Sequence, residues 1–469
     1  MSDPTHLSLA EVAEAIATRR LSSEEVTRAC LERAERLQPT LNAFIALEGD
    51  AALAAARAAD AALAAGGPCG PLHGVPLAHK DMVYRAGRVC SCGSAIRRDW
   101  RPEHTATVLE RLDAAGALEL GRLNMAEFAL GPTGHNAHYG HCHNPWHPAH
   151  VTGGSSSGSG AAVAARVVYG ALGSDTGGSV RIPSAFCGLV GLKPTQGRVS
   201  RHGLMPLSFS LDQGGPLART ARDCARLARV IAGADPHDPT AAAVPVPDYE
   251  AGLERSVRGL RVGVPAAYFE DGAAPEVLAA LAAAREVLRG LGCTLHPLEL
   301  PESGRLTELA NVIQSAEGAA VHRRWLAERP DDYAPQIRAR LRPGLLIPAT
   351  RYLDALALRG VLAEQTAREV FSRVDVLHVP TVPFPAPTIA DTDVDASPGF
   401  RELLGRVARC TRPFNFLGLP ALSVPMGFSG AGLPLGFQLV GRPFGEGLLF
   451  NLAHRYQQET DWHTRAPAL

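Results

Sequence analysis

The sequence predicts an α/β fold: one large domain with a mixed, mostly parallel central sheet covered by helices on both faces. Two stretches carry this expectation. Helix-like and strand-like segments alternate between residues 105 and 175, and they alternate again in β-α-β order between 260 and 300. A third observation is negative: no internal repeat and no clean linker divides the 469 residues, although about 150 residues per domain is the usual prior.

Ser22 and Glu25 form a capping-box pattern ahead of apolar residues at helical spacing, so residues 8–37 are read as two short helices. The alanine-rich segment 51–65 is a helix by propensity. GGPCGPLHG turns the chain between Gly66 and Gly74, and VPLAHKD follows as a short apolar strand that ends in Lys80. TATVLERLDAAG (105–116) reads as a helix, ALELGRL (117–123) as a strand, GSGAAVAARVVYG (158–170) as a helix and ALGSD (171–175) as a strand. LRVGVP (260–265), PEVLAALAAAREVLRGLG (275–292) and CTLHPLEL (293–300) repeat the alternation. Residues 301–375 look largely helical, with EQTAREVFSRV clearest, and the proline-rich 379–399 reads as a loop. Two closing strands are expected within 419–441.

Composition excludes several functions. Lys plus Arg number 46 against 47 Asp plus Glu, a net charge of -1 with no long basic run, so neither nucleic acid nor an anionic membrane is an expected partner. No uncharged apolar run is long enough to span a bilayer, and the N-terminus lacks a basic region followed by an apolar core, so a cytoplasmic location is expected. Nine scattered cysteines do not resemble a secreted disulfide framework, and Cys90-x-Cys92 lacks the redox C-x-x-C spacing.

Chemistry concentrates in TGGSSSGSGAAVAARVVYGALGSDTGGSVRIPSAFCGLVGLKPT, residues 152–195. It holds two Gly-Gly-Ser clusters, separated by a small-residue helix and a strand. Such turns can aim successive N–H groups at one point and leave a hydroxyl exposed, the requirement for an oxyanion hole beside a nucleophile. Gly154 to Gly158 also matches the G-x-S-x-G elbow, but the preceding NPWHPAHVTG holds two prolines where that motif needs a buried strand. A P-loop is excluded by the missing Gly-Lys-Ser/Thr ending. Six histidines (135, 138, 141, 143, 147, 150) crowd around Cys142 and raise a zinc site as an alternative. Against it, the run is broken by Gly140, Pro145 and Pro148 and contains no carboxylate, so no metal and no cofactor is expected.

GGSSSGSGAAVAA, GSDTGGSVRIPSAFCGLVGLKPT, the upstream LHGVPLAHKD and the downstream RPFNFLGLPALSVPMG together resemble the amidase signature family of serine hydrolases. The resemblance runs from about Leu7 to Gln458 and is loosest over 221–400, where substrate choice usually resides in such enzymes. It implies an N-terminal helical part (1–65), a signature core (66–220), a variable substrate-shaping part (221–400) and closing strands with a helix (401–469). It also implies roles. Lys80 matches the base, Ser155 the bridging serine after a cis peptide bond, and Ser179 the nucleophile. The backbone N–H groups of Thr176, Gly177, Gly178 and Ser179 match the oxyanion hole, and Ser156, Asp175 and Arg181 the supporting positions.

The chemistry is coherent on the residues alone. A serine hydroxyl needs a base, no Ser-His-Asp arrangement is evident near either cluster, and a lysine buried in an apolar strand can serve when neutral. The expected activity is amidase: hydrolysis of a linear, small or aryl amide through an acyl-serine, with esters, anilides or carbamates as further substrates. The alternative is the A-type subunit of a glutamine-dependent aminoacyl-tRNA amidotransferase, since GRLNMAEFALG resembles that branch while the following GPTGHNAHYGHCHNPW departs from it. The expected partner is the small-molecule amide, and because family members are often dimers, a homodimer is one expected assembly.

Overall fold

A computed structural model describes residues 3–393 and 399–469. Its strands, in chain order, are β1 (Phe44–Leu47), β2 (Pro76–Lys80), β3 (Leu118–Leu123), β4 (His143–Asn144), β5 (His147–Val151), β6 (Gly170–Asp175), β7 (Val190–Lys193), β8 (Gln213–Ala218), β9 (Arg261–Val264), β10 (Thr294–Pro297), β11 (Val376–Pro380), β12 (Ala421–Phe428) and β13 (Pro434–Val440). Eleven of them form one mixed sheet in the order β1-β3-β2-β6-β8-β7-β12-β13-β11-β9-β10, while β4 and β5 pair separately.

Parallel pairing occupies the two flanks, β3–β2–β6 and β11–β9–β10, where helices connect the strands as the alternation predicts. The middle, from β6 through β8, β7, β12 and β13 to β11, is antiparallel. One reason is local: residues 429–433 join β12 to β13, and so short a connection permits only a hairpin, whereas a parallel pair needs a crossover. Every residue of β2, β6, β7, β8, β11 and β13 is buried. Strands buried on both sides require cover on both faces, and the flanking helices supply it.

The two expected N-terminal helices are Leu9–Ala17 and Ser23–Leu41, and the Ser22–Glu25 capping box closes in both directions at 3.0 and 2.8 Å. The alanine-rich helix is Gly49–Ala64. The helix expected over 158–170 is shorter, Ser157–Ala164, because the chain turns at Arg166, whose φ is 58°, before β6 begins. Helices Ser303–Glu328, Pro335–Leu341 and Ala349–Glu369 fill most of 301–375. The stretch expected as a loop over 379–399 begins inside β11, and its residues 394–398 lie outside those described. All nine cysteines are free, and only Cys69 is exposed. Among the described residues, no helix is long and apolar enough to cross a membrane.

Candidate active site

Lys80 is the last residue of β2, which lies parallel to β6, with His79 opposite Leu172. That register carries Lys80 to the level of Ser174 at the carboxyl end of β6. Ligand sites of α/β sheets form at such strand ends. Lys80 Nζ lies 2.7 Å from Ser155 Oγ and 2.9 Å from Ser174 Oγ, whose hydroxyl also reaches Met82 Sδ at 3.0 Å. Lys80 is 0 % exposed. Burial pushes its amine from the ordinary 10.5 down to about 7, with Asp175 and Asp212 pulling the other way.

The Gly154–Ser155 peptide is cis. Gly154 is packed so closely that a Cβ there would lie 2.2 Å from the Gly131 carbonyl oxygen. A strand, β5, does precede this turn, contrary to the expectation from the two prolines. It belongs to the small separate sheet and its first three residues are exposed, so it is not the buried strand that a nucleophile elbow requires. Ser156 ties the turn to its neighbours: its N–H donates to the Ser179 carbonyl at 3.4 Å, and its hydroxyl accepts from the Ser174 N–H at 3.3 Å.

Asp175 organises the second Gly-Gly-Ser turn. Its carboxylate accepts from the N–H groups of Gly178 (2.8 Å), Val180 (3.1 Å) and Arg181 (3.4 Å), and so caps helix Arg181–Cys187 from the residues before it. The Arg181 guanidinium meets the same carboxylate at 3.0 and 3.1 Å, and Asn415 donates to it at 2.9 Å. Burial alone would raise this acid, but Arg181 and Asn415 hold it well below the usual carboxylate range. Arg181 reaches on to Asn415, Gln438 and the Thr411 carbonyl, joining the turn to β13 and helix Arg412–Phe416.

Of the four N–H groups expected as an oxyanion hole, that of Gly178 donates to Asp175, whereas those of Thr176, Gly177 and Ser179 have no acceptor among the described residues. Thr411 Oγ1 donates to the Gly177 carbonyl at 2.6 Å, and the Thr176 hydroxyl donates to Asp212 at 2.5 Å. Burial raises Asp212 to about 6. Lys80, Ser155, Ser156, Asp175 and Arg181 are fully buried, whereas Gly177 and Ser179 are partly exposed, so the site opens over Ser179. A cavity of about 260 Å³ reaches Met82, Ser174 and Asp212 on the lysine side. A larger cleft of about 840 Å³, between Ala10 and His454, contains none of these residues and lies apart from the chemistry.

Ser174, Asp212, Thr411, Asn415 and Gln438 escaped sequence reasoning. One signal was available: the chain holds 46 basic residues, yet Lys80 and Lys193 are its only lysines. Arginine keeps its proton near neutral pH, whereas a buried lysine can lose it, which sets these two residues apart from the other basic ones. Lys193 is also fully buried on β7 and is also brought down to about 7, chiefly by burial and next by Arg181; its Nζ donates to the Pro194 carbonyl at 2.8 Å.

The six histidines make separate contacts, although the rings of His135 and His141 and those of His147 and His150 pack against each other. His135 pairs with Thr392, His138 with Glu127, His143 with the Pro148 carbonyl and His150 with the Ala386 carbonyl; His141 and His147 accept from the backbone N–H groups of Asn136 and Ala149. Among the described residues, no three His, Cys, Asp or Glu side chains converge as metal ligands.

A family model described as Amidase matches residues 25–450. A curated relative from Methylococcus capsulatus, the A-type subunit of its glutamyl-tRNA(Gln) amidotransferase, is 42% identical over 98% of this chain and 98% of its own length. Among solved structures, a vestigial protein complex said to reveal the origins of an s-triazine catabolic enzyme matches with 35% identity and a TM-score of 0.91, over 97% of this chain and 98% of that one. A 6-aminohexanoate cyclic dimer hydrolase complexed with substrate matches with 28% identity and a TM-score of 0.90, over 99% of each chain.

Proposed function

The chain belongs to the amidase family, and on that premise we propose that it cleaves an amide C–N bond through an acyl-serine at Ser179. The observation that carries this reading is the buried Lys80–Ser155 contact at 2.7 Å beside the Gly-Gly-Ser179 turn. Lys80, whose amine burial brings down to about 7, draws in its neutral form the proton of Ser155, which draws that of Ser179 as the latter attacks the carbonyl carbon. Negative charge developing on the carbonyl oxygen is met by the N–H groups of Thr176, Gly177 and Ser179. The proton returns through Ser155 to the leaving nitrogen, and water activated by the same relay then releases the acid. Asp175 and Arg181 keep the turn rigid, and the same steps extend to esters, anilides and carbamates because they need only a carbonyl and a leaving group.

A second setting for the same chemistry is favoured by the relatives. The 42% identity to the A-type chain of an amidotransferase, over 98% of both chains, supports a role as the amidase part of an amidotransferase built of several different chains, and does so more strongly than the sequence motifs support a free hydrolase. Both settings share the acyl-serine step, and the solved hydrolase at a TM-score of 0.90 supports the free one. Two measurements separate them. The purified chain is assayed alone on primary amides, anilides, aryl esters and carbamates and on glutamine, and its native mass is measured after affinity capture from cells. A stable larger partner with turnover only in its presence supports the amidotransferase. Turnover by the chain alone supports the hydrolase. In either setting Ser179→Ala abolishes both turnover and labelling by a fluorophosphonate; retained turnover in that variant refutes the assignment.

A further inference from the structure

Among the described residues, two cations beside the site have no ion-pair partner. Arg412 opens the short helix that also carries Asn415, and the Thr411 hydroxyl next to it holds the Gly177 carbonyl, so its backbone is fixed against the Ser179 turn. A Cβ on Gly177 would lie 3.3 Å from Arg412 Cγ, 3.4 Å from Arg412 Nε and 3.6 Å from Gln314 Oε1, which places the guanidinium over the partly exposed Gly177. Arg412 Nε is buried and makes no hydrogen bond. Arg340 stands near enough for the two charges to repel, and among the described residues neither guanidinium has an ion pair. Several other partly buried arginines are paired, as Arg85 is with Glu119, Arg226 with Glu250 and Arg285 with Glu270, and others without an ion pair, such as Arg33, Arg111 and Arg359, donate to backbone carbonyls.

A guanidinium whose Nε is buried without a partner has lost part of its hydration with no anion to replace it, and a second cation nearby makes the place less favourable still. Guanidinium and carboxylate match as two parallel hydrogen bonds, which makes a carboxylate the fitting guest. We propose that Arg412, supported by Arg340, forms a carboxylate subsite at the mouth of the active site, so that the substrate is an amide whose own molecule carries a carboxylate. The inference rests on the acyl-serine reading of Ser179. It also disfavours a free α-ammonium in the same place, since two cations already occupy it. Burial and Arg412 bring Arg340 down to about 10, which leaves it charged at neutral pH.

The test compares malonamate, succinamate and glutaramate with neutral isosteres such as 4-methylpentanamide and 5-methylhexanamide, and glutaramate with glutamine. In the wild type, the best carboxylate amide is expected to exceed its neutral isostere in kcat/KM by roughly 100-fold, and glutaramate to exceed glutamine. Arg412→Gln collapses the carboxylate-to-neutral ratio mainly through KM, while Arg412→Lys retains part of it. A readout independent of turnover is protection: malonate, succinate or glutarate slows fluorophosphonate labelling of Ser179 at least tenfold in the wild type and loses that effect in Arg412→Gln. If Arg412→Gln does not fold, Arg412→Lys and Arg340→Gln replace it in both assays. Labelled enzyme with a wild-type ratio near one and no protection refutes the subsite alone. Absence of labelling altogether refutes the acyl-serine reading instead.

Discussion

Replacing Lys80 by arginine tests the base directly. The whole of β2 is buried, and the amine is displaced from 10.5 to about 7, which corresponds to about 5 kcal/mol of preference for the neutral form. At pH 7 about half of the molecules then hold a neutral amine, against roughly one in 3,000 for an ordinary lysine, a gain of about 10³ in available base. The sign follows: loss of the proton creates the base, so kcat/KM rises with pH through about 7 and flattens above it. A histidine base would rise near 6.5, too close for the rate profile alone to distinguish. The composition removes the ambiguity. With only Lys80 and Lys193 in the chain, protein grown on ¹³Cε-lysine shows two lysine signals, and Lys193→Arg assigns them. The Lys80 signal is expected to titrate near 7 and to coincide with the kinetic midpoint. Lys80→Arg keeps a permanent charge, loses the rising limb and drops amide kcat/KM by about 10³ or more, and Lys80→Ala behaves alike if arginine does not fit. A Lys80 midpoint above about 9.5, or a rising limb that survives both substitutions, refutes the reasoning.

Three further outcomes are expected. Asp175→Asn leaves the buried Arg181 without its anion and lowers stability by about 3 to 5 kcal/mol, read by denaturant unfolding; a loss under about 1 kcal/mol would mean that the pair is dispensable. Gly178→Ala cuts kcat at least 100-fold, because φ is 131° there and a Cβ would lie 2.4 Å from Thr411 Oγ1, whereas Gly290→Ala, with nothing within 4 Å, serves as a neutral control. Retention of a third of wild-type turnover by Gly178→Ala would show that the turn can relax. Turnover is expected to survive a chelator, and activity lost to chelation and restored by zinc would return attention to the histidine loop.

What the sequence determined by itself is what each segment prefers irrespective of its neighbours. The Ser22–Glu25 box, the alanine-rich helix over 49–64, the glycine turns and the buried run ending in Lys80 are local, because capping, propensity and φ freedom act within a few residues. Motif resemblance added the expectation that Lys80, Ser155 and Ser179 act together, and a 2.7 Å contact joins the first two across 75 residues. The rest depended on the tertiary structure. The antiparallel middle of the sheet and the clamp of Thr411, Asn415 and Gln438 on a turn more than 200 residues away follow from which strands pair and in what register. Register is a cooperative property of many pairings, and no single segment encodes it. The same holds for Arg412, an ordinary arginine in the sequence: folding buries its Nε without a hydrogen-bond partner and, among the described residues, leaves it without an ion pair.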